Sequence, residues 1–296
     1  MKIKKSIFDS NPEIKIHQNL SKLWGDKVLI LPHIPVKDVI DIYDKNANIS
    51  SDEKEKLLVK SNFDFVVASK KKHDYGRPLL VIEFDGIGCG FSFDRVYKQV
   101  KSVESDKYRK LKMDCKIRIC EEAELPLIVL SWEEIESFFE EEEIGIIDGI
   151  IGQVIWNDEF NRVMEENLEK FEENIEGIDD VETKYDMFSS FATSCEVEAA
   201  CNVNPIVNLC AKLNSKVHVE NLVGVNGFKP IVEGDLIGYE WYAYLNDGKE
   251  TYLSKKVLVR NINCSKANSG NVALDVAEML LWKKVIEINE HSKKSL

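Results

Sequence analysis

Two apolar runs dominate the first half of the chain: Phe63-Asp64-Phe65-Val66-Val67, and Pro78-Leu79-Leu80-Val81-Ile82-Glu83-Phe84-Asp85-Gly86. Both are rich in β-branched and aromatic residues. The link between them (Ser69, three lysines, then His73-Asp74-Tyr75-Gly76-Arg77) is turn chemistry, so the pattern predicts a β-hairpin. Upstream, Asn11-Pro12-Glu13 opens a helix, with Asn11 as N-cap, proline at the first helical position and an acid in the first turn. Ile14, Ile16, Leu20 and Leu23 supply its apolar face, which ends near Gly25. Residues 28–31 read as a short strand stopped by Pro32 and Pro35, residues 36–43 as a helix, and residues 50–60 as a charged helix or loop. After the hairpin, glycines at 86, 88 and 90 suit a flexible loop beside a ligand. Residues 93–120 read as one long helix, residues 125–130 as a buried strand, and Ser131-Trp132-Glu133-Glu134 as the capped start of another helix.

Beyond that point the period changes. Residues 133–187 are acidic, and Phe160, Val163, Met164, Leu168 and Phe171 recur at helical spacing. Asn204-Pro205 caps a helix over 204–213; strands follow over 238–245 and 251–261, joined by an Asn246-Asp247-Gly248 turn. Val272, Ala273, Val276, Ala277, Leu280 and Leu281 close the chain as a helix. The expected architecture is α/β: a mixed sheet flanked by helices over 1–140, an acidic helical connector over 141–200, and a small α-β-β-β-α domain over 201–296.

Composition adds little for a chain of 296 residues with 44% apolar content, except in its charge. Residues 1–119 hold 24 basic and 17 acidic side chains, residues 120–200 hold 3 and 25, and residues 201–296 hold 12 and 10. The net charge of −13 therefore sits in one middle segment, which would repel a polyanion that the N-terminal block could attract. The seven cysteines include no C-x-x-C pair, so reduced thiols are expected and a zinc site is not. No apolar run approaches the roughly 18 residues of a membrane span. A cytoplasmic protein is expected.

The chemistry collects in the hairpin. Strand alternation puts Glu83 and Asp85 on one face, with Asp64 on the neighbouring strand. Acids buried in apolar strands need a cation beside them, and a hard ion such as Mg²⁺ takes one or two carboxylates and keeps waters of its own. Downstream, Arg95, Lys98, Lys101, Lys107, Arg109, Lys110, Lys112, Lys116 and Arg118 make the following segment strongly basic.

Glu13 in an opening helix, Asp64 in a strand, Glu83-x-Asp85-Gly86 in the next strand, then Asp114-x-Lys116 and Glu121-Glu122-Ala123-Glu124-Leu125-Pro126-Leu127 together resemble the PD-(D/E)XK nuclease superfamily. Within it, the likeness is to the very-short-patch-repair-like branch and related bacterial domains with an E-x-D-G motif, and it covers about residues 11–135. The resemblance implies a restriction-endonuclease-like fold and Mg²⁺- or Mn²⁺-dependent hydrolysis of phosphodiesters, with Asp64 and Glu83 as metal ligands. Asp85 stands where many members have the lysine. That role then passes to Lys116, with Lys112 one turn away as the alternative, and Glu13 matches the acid of the first helix. Lys107, Arg109, Lys110 and Lys112 are the expected nucleic-acid contacts, DNA being favoured over RNA. Two departures stand out: Ile87-Gly88-Cys89-Gly90 replaces the histidine that often follows E-x-D-G, and Val129-Leu130-Ser131 lacks the arginine common there. The last hundred residues resemble a double-stranded RNA-binding domain. They carry only Lys266 in the stretch 266–271, where that family clusters lysines, and a protein partner through this domain or the acidic connector is an equal expectation.

Overall fold

Strand β1 (Val28–Pro35) pairs antiparallel with β2 (Asn62–Ser69), and β2 pairs antiparallel with β3 (Pro78–Asp85). Strand β6 (Leu127–Ser131) adds parallel to β3, completing a mixed four-stranded sheet of order β1-β2-β3-β6. The computed structural model describes residues 8, 10–45, 48–53, 57–85, 88–91, 97–99, 107–131, 145–246, 251–260 and 268–294. They form two units: residues 1–145, grouped with 232–237 and 259–269, and the remainder. The chain is mixed α/β, with a separate three-stranded antiparallel sheet in its C-terminal part.

The hairpin forms where the pattern predicts it. Ser69 Oγ donates to Asp74 Oδ1 at 2.6 Å, Arg77 Nε donates to Asp74 Oδ2 at 2.9 Å, and Gly76 takes φ 87°, a value only glycine adopts freely. Helix α1 (Asn11–Trp24) packs on β1 and buries Ile16, Leu20 and Trp24. Its N-cap is Ser10, one residue earlier than expected. The Ser10 hydroxyl accepts from the Glu13 backbone N–H at 3.4 Å and donates to Glu13 Oε1 at 2.8 Å, so serine and glutamate cap each other.

Several other expectations are corrected. Strand β1 continues through Pro32 and Pro35, because it is the sheet's edge and its outer side has no ladder to lose. The helix expected over 36–43 is the single turn α2 (Val36–Val39), and within the stretch 50–60 α3 covers Ser51–Glu53. In place of a glycine loop and the start of a long helix, β4 (Gly88–Phe91) pairs antiparallel with β5 (Tyr97–Gln99). Helix α4 (Lys107–Glu122) is the shorter remainder. The helix expected from Ser131 onward falls outside the described residues. Met113, Cys115, Ile119 and Cys120 of α4 pack with Phe63, Val66, Val81, Leu127 and Val129 in one hydrophobic core.

In the second unit, α5 (Ile146–Ile175) and α6 (Val181–Val203) pack as an antiparallel pair, and both touch α7 (Pro205–Val219). The segment read as a connector is therefore built into this unit. Asn204, buried between α6 and α7, accepts from the backbone N–H groups of Ile206 and Val207. Strands β7 (Val223–Glu233), β8 (Leu236–Leu245) and β9 (Tyr252–Arg260) follow, then α8 (Ser269–Lys294). Val217, Val223, Ala243, Leu281, Trp282, Val285 and Ile286 form their shared core.

Candidate metal centre

Register fixes the centre. Phe65 pairs with Ile82, and continuing that antiparallel register by one residue sets Asp64 directly across from Glu83. On the other side of β2, Pro32 pairs with Phe65 and Ile34 with Phe63, which sets His33 across from Asp64. Side chains at directly opposed positions have Cβ atoms about 5 Å apart. One row across three strands thus carries His33, Asp64 and Glu83.

Helix α4 supplies the cations. Arg109, Lys112 and Lys116 are spaced by three and four, so they share one helical face, and that face meets β3. Lys116 Nζ lies 2.5 Å from Glu83 Oε1 and also donates to the Asn62 carbonyl at 2.6 Å, with the Phe63 ring 5.4 Å away. Both members of the pair are buried. Two turns back along the helix, Arg109 Nη2 is 2.5 Å from Asp85 Oδ1. Of the expected site residues, the fold therefore brings Asp64, Glu83 and Lys116 together, with Lys112 half-buried beside them. Asp85 is committed to Arg109, while Lys107 and Lys110 stand exposed on the first turn of α4.

Burial pushes the Glu83 carboxyl up to about 7; the Asp64 charge adds to that, and Lys116 pulls the other way. Asp64 is also raised by burial, against the pull of the Phe84 backbone N–H, which it accepts at 2.6 Å on Oδ2, and of Lys116. Burial and the neighbouring Lys116 charge lower Lys112.

Glu13 reaches the same region from α1. Its charge is felt by Asp64, and its Oε2 lies 3.3 Å from His33 Nε2, outside hydrogen-bond geometry. His33 has φ 54°, a left-handed backbone that a non-glycine residue adopts only at some energetic cost. The sequence reading missed this histidine. Periodicity could not have found it, because only the register of β1 against β2 sets it beside Asp64.

Residues 4–141 match a family described as "Protein of unknown function (DUF2726)". No curated protein and no solved structure matches the chain. The matched segment contains Glu13, His33, Asp64, Glu83 and the whole of α4, and ends before α5.

Among the described residues, no group of three or more His, Cys, Asp or Glu side chains is arranged to hold a metal ion. Two carboxylates meet the protein's share for Mg²⁺, which keeps several waters. Asp64 and Glu83 fit that demand: they lie on adjacent strands, and the Asp64 charge makes Glu83 harder to ionise, a repulsion that a divalent cation would relieve.

Proposed function

We propose that the first unit is a metal-dependent nuclease that hydrolyses phosphodiester bonds of nucleic acid, DNA before RNA, with Asp64 and Glu83 as the ligands of Mg²⁺ or Mn²⁺. One observation carries the reading: a lysine and a glutamate, Lys116 and Glu83, are buried as a pair 2.5 Å apart, beside a second acid, Asp64, on the neighbouring strand. A structural role would rarely place three ionisable groups at one dry point, whereas phosphoryl transfer needs carboxylates and a fixed cation there. A bound divalent ion would polarise the phosphoryl oxygen and lower the pKa of water. Lys116, fixed by Glu83 and the Asn62 carbonyl, stabilises charge that develops on the phosphoryl group. Glu13 and His33 line the same region from α1 and β1, and the exposed Lys107 and Lys110 track the nucleic-acid backbone. A nucleic-acid substrate, together with cysteines outside any disulfide at 115, 120, 195, 201 and 210, supports a cytoplasmic location. Among the described residues, no helix is long and apolar enough to cross a membrane.

The test is incubation of the protein with labelled single- and double-stranded DNA and RNA in Mg²⁺, Mn²⁺ or EDTA. Cleavage is expected with either ion and none with EDTA. Lys116→Met should keep its affinity for nucleic acid and lose about a hundredfold or more in rate. A second reading, a nuclease-like domain that binds nucleic acid or a protein without cutting, is favoured by one observation: the Lys116 ammonium already neutralises Glu83. Intact substrate in every condition, with nucleic acid still bound, would select it.

A further inference from the structure

Helices α5 and α6 form an arm whose packing is incomplete. In α6 the buried residues are Cys195, Ala199 and Val203, all in its last turns. Nearer its start, Val181, Tyr185 and Phe188 are exposed, Phe188 at 44% and Tyr185 at 72%. Phe171 of α5 stacks on Phe191 at 4.5 Å and meets Phe188 edge-on at 5.8 Å. Phe171 and Phe191 floor a groove of about 550 Å³ that is also lined by Lys170, Asp186, Met187 and Glu198, and Phe188 packs against both rings. Exposed aromatic residues beside a groove with a polar rim mark a contact surface, and the groove between two antiparallel helices has the shape that receives a third.

Charge selects the occupant. Residues 158–200 hold 14 acidic and 3 basic side chains, and one of the three, Arg162, is tied to Glu159 and Glu166. A second copy of the same arm, or a polyanion, would meet strong repulsion. We infer that the α5–α6 groove docks a basic amphipathic helix of a partner protein, with its apolar side on Phe171, Phe188 and Phe191 and its lysines or arginines against the acidic rim. This reading is independent of the metal centre in the first unit.

The probe is a fluorescein-labelled 18-residue peptide of leucine and lysine with helical amphipathic spacing, set beside a permuted peptide of the same composition that lacks that spacing. Anisotropy should show the amphipathic peptide binding the parent at least tenfold more tightly than the permuted one. Phe188→Ala, at a half-exposed position that should leave the helix content measured by circular dichroism unchanged, should weaken binding about tenfold or more, since aromatic anchors carry most of such an interface. Asp186→Asn with Glu198→Gln should weaken it and flatten its salt dependence. Equal binding of both peptides overturns the proposal, because the acidic surface would then attract any polycation. So does unchanged affinity in Phe188→Ala, or an arm-mediated dimer of the parent that Phe188→Ala dissolves and the peptide cannot compete away.

Discussion

Lys116 and Glu83 lie 2.5 Å apart with side chains 4% and 5% exposed, while Arg162 and Glu166 of the helical arm, at the same 2.5 Å, are 42% and 59% exposed. Equal geometry carries unequal energy, because water screens the second pair and hardly reaches the first. In the β2–β3 hairpin each of the three acids is held by a named partner: Glu83 by Lys116, Asp85 by Arg109, and Asp64 by the Phe84 backbone N–H. Along the arm, acids far outnumber bases and most of them face solvent. Buried charge of this kind fixes where chemistry can occur, whereas exposed charge sets only which partners can approach.

The largest expected effect comes from breaking the buried pair. Glu83→Ala leaves the Lys116 ammonium dry and uncompensated, and should cost about 3 to 5 kcal/mol of stability in urea unfolding. The double variant Glu83→Gln, Lys116→Met removes both charges at similar volume and should recover most of that loss. If the double variant is as unstable as Glu83→Ala, charge burial does not explain the pair's energetics.

Next comes pH. The Glu83 carboxyl is raised from 4.5 to about 7 in the folded protein, so between those values the folded state holds a proton that the unfolded state releases. Stability from this group is therefore lost as pH rises from about 4.5 to about 7, by up to roughly tenfold in the unfolding equilibrium per pH unit, and is flat outside that window. Asp275 of α8 is also raised to about 7, by burial and the nearby Glu278, with the same sign. The difference between parent and Glu83→Gln isolates the Glu83 contribution from that background. Mg²⁺ requires the ionised carboxylate and should raise the parent's melting temperature more at pH 8 than at pH 5. An equal rise at both values would place the ion elsewhere.

His33 should give a smaller change. At φ 54°, alanine keeps the backbone strain and loses the imidazole, whereas glycine loses the imidazole and relaxes the strain. His33→Gly should therefore be more stable than His33→Ala by about 1 kcal/mol, measured by urea midpoints. The reverse order would mean that the imidazole's neighbours, not its backbone, hold this turn of β1 in place.

The hairpin and the arm also differ in how far the chain announced them. Alternation and turn residues marked β2 and β3 with their acids, and the spacing of Arg109, Lys112 and Lys116 marked a common face on α4. These signals are local, within one strand or one helix. The pairing of Asp85 with Arg109 and the approach of His33 to Asp64 depend on how elements meet, and no single run of residues carries that. Residues 97–99 misled because lysines are common in helices and on strand edges alike, and only pairing with β4 decides between them. In the arm, the helical period was plain, but nothing in one helix's pattern says whether its apolar stripe finds a cover.

The smallest effect is expected on the arm. Arg162 Nη1 meets Glu166 across one helical turn, and Nη2 meets Glu159. With the arginine and Glu166 this exposed, the pairs contribute about 0 to 1 kcal/mol together, and salt weakens them further. Arg162→Ala should lower stability by no more than that at low ionic strength and by less at 0.5 M salt. A loss near that of Glu83→Ala would show that Arg162 is not a solvated surface charge. It would have to be neutralising acids that the fold packs together, and exposed charge in the arm would then be structural in the same sense as the buried pair beneath α4.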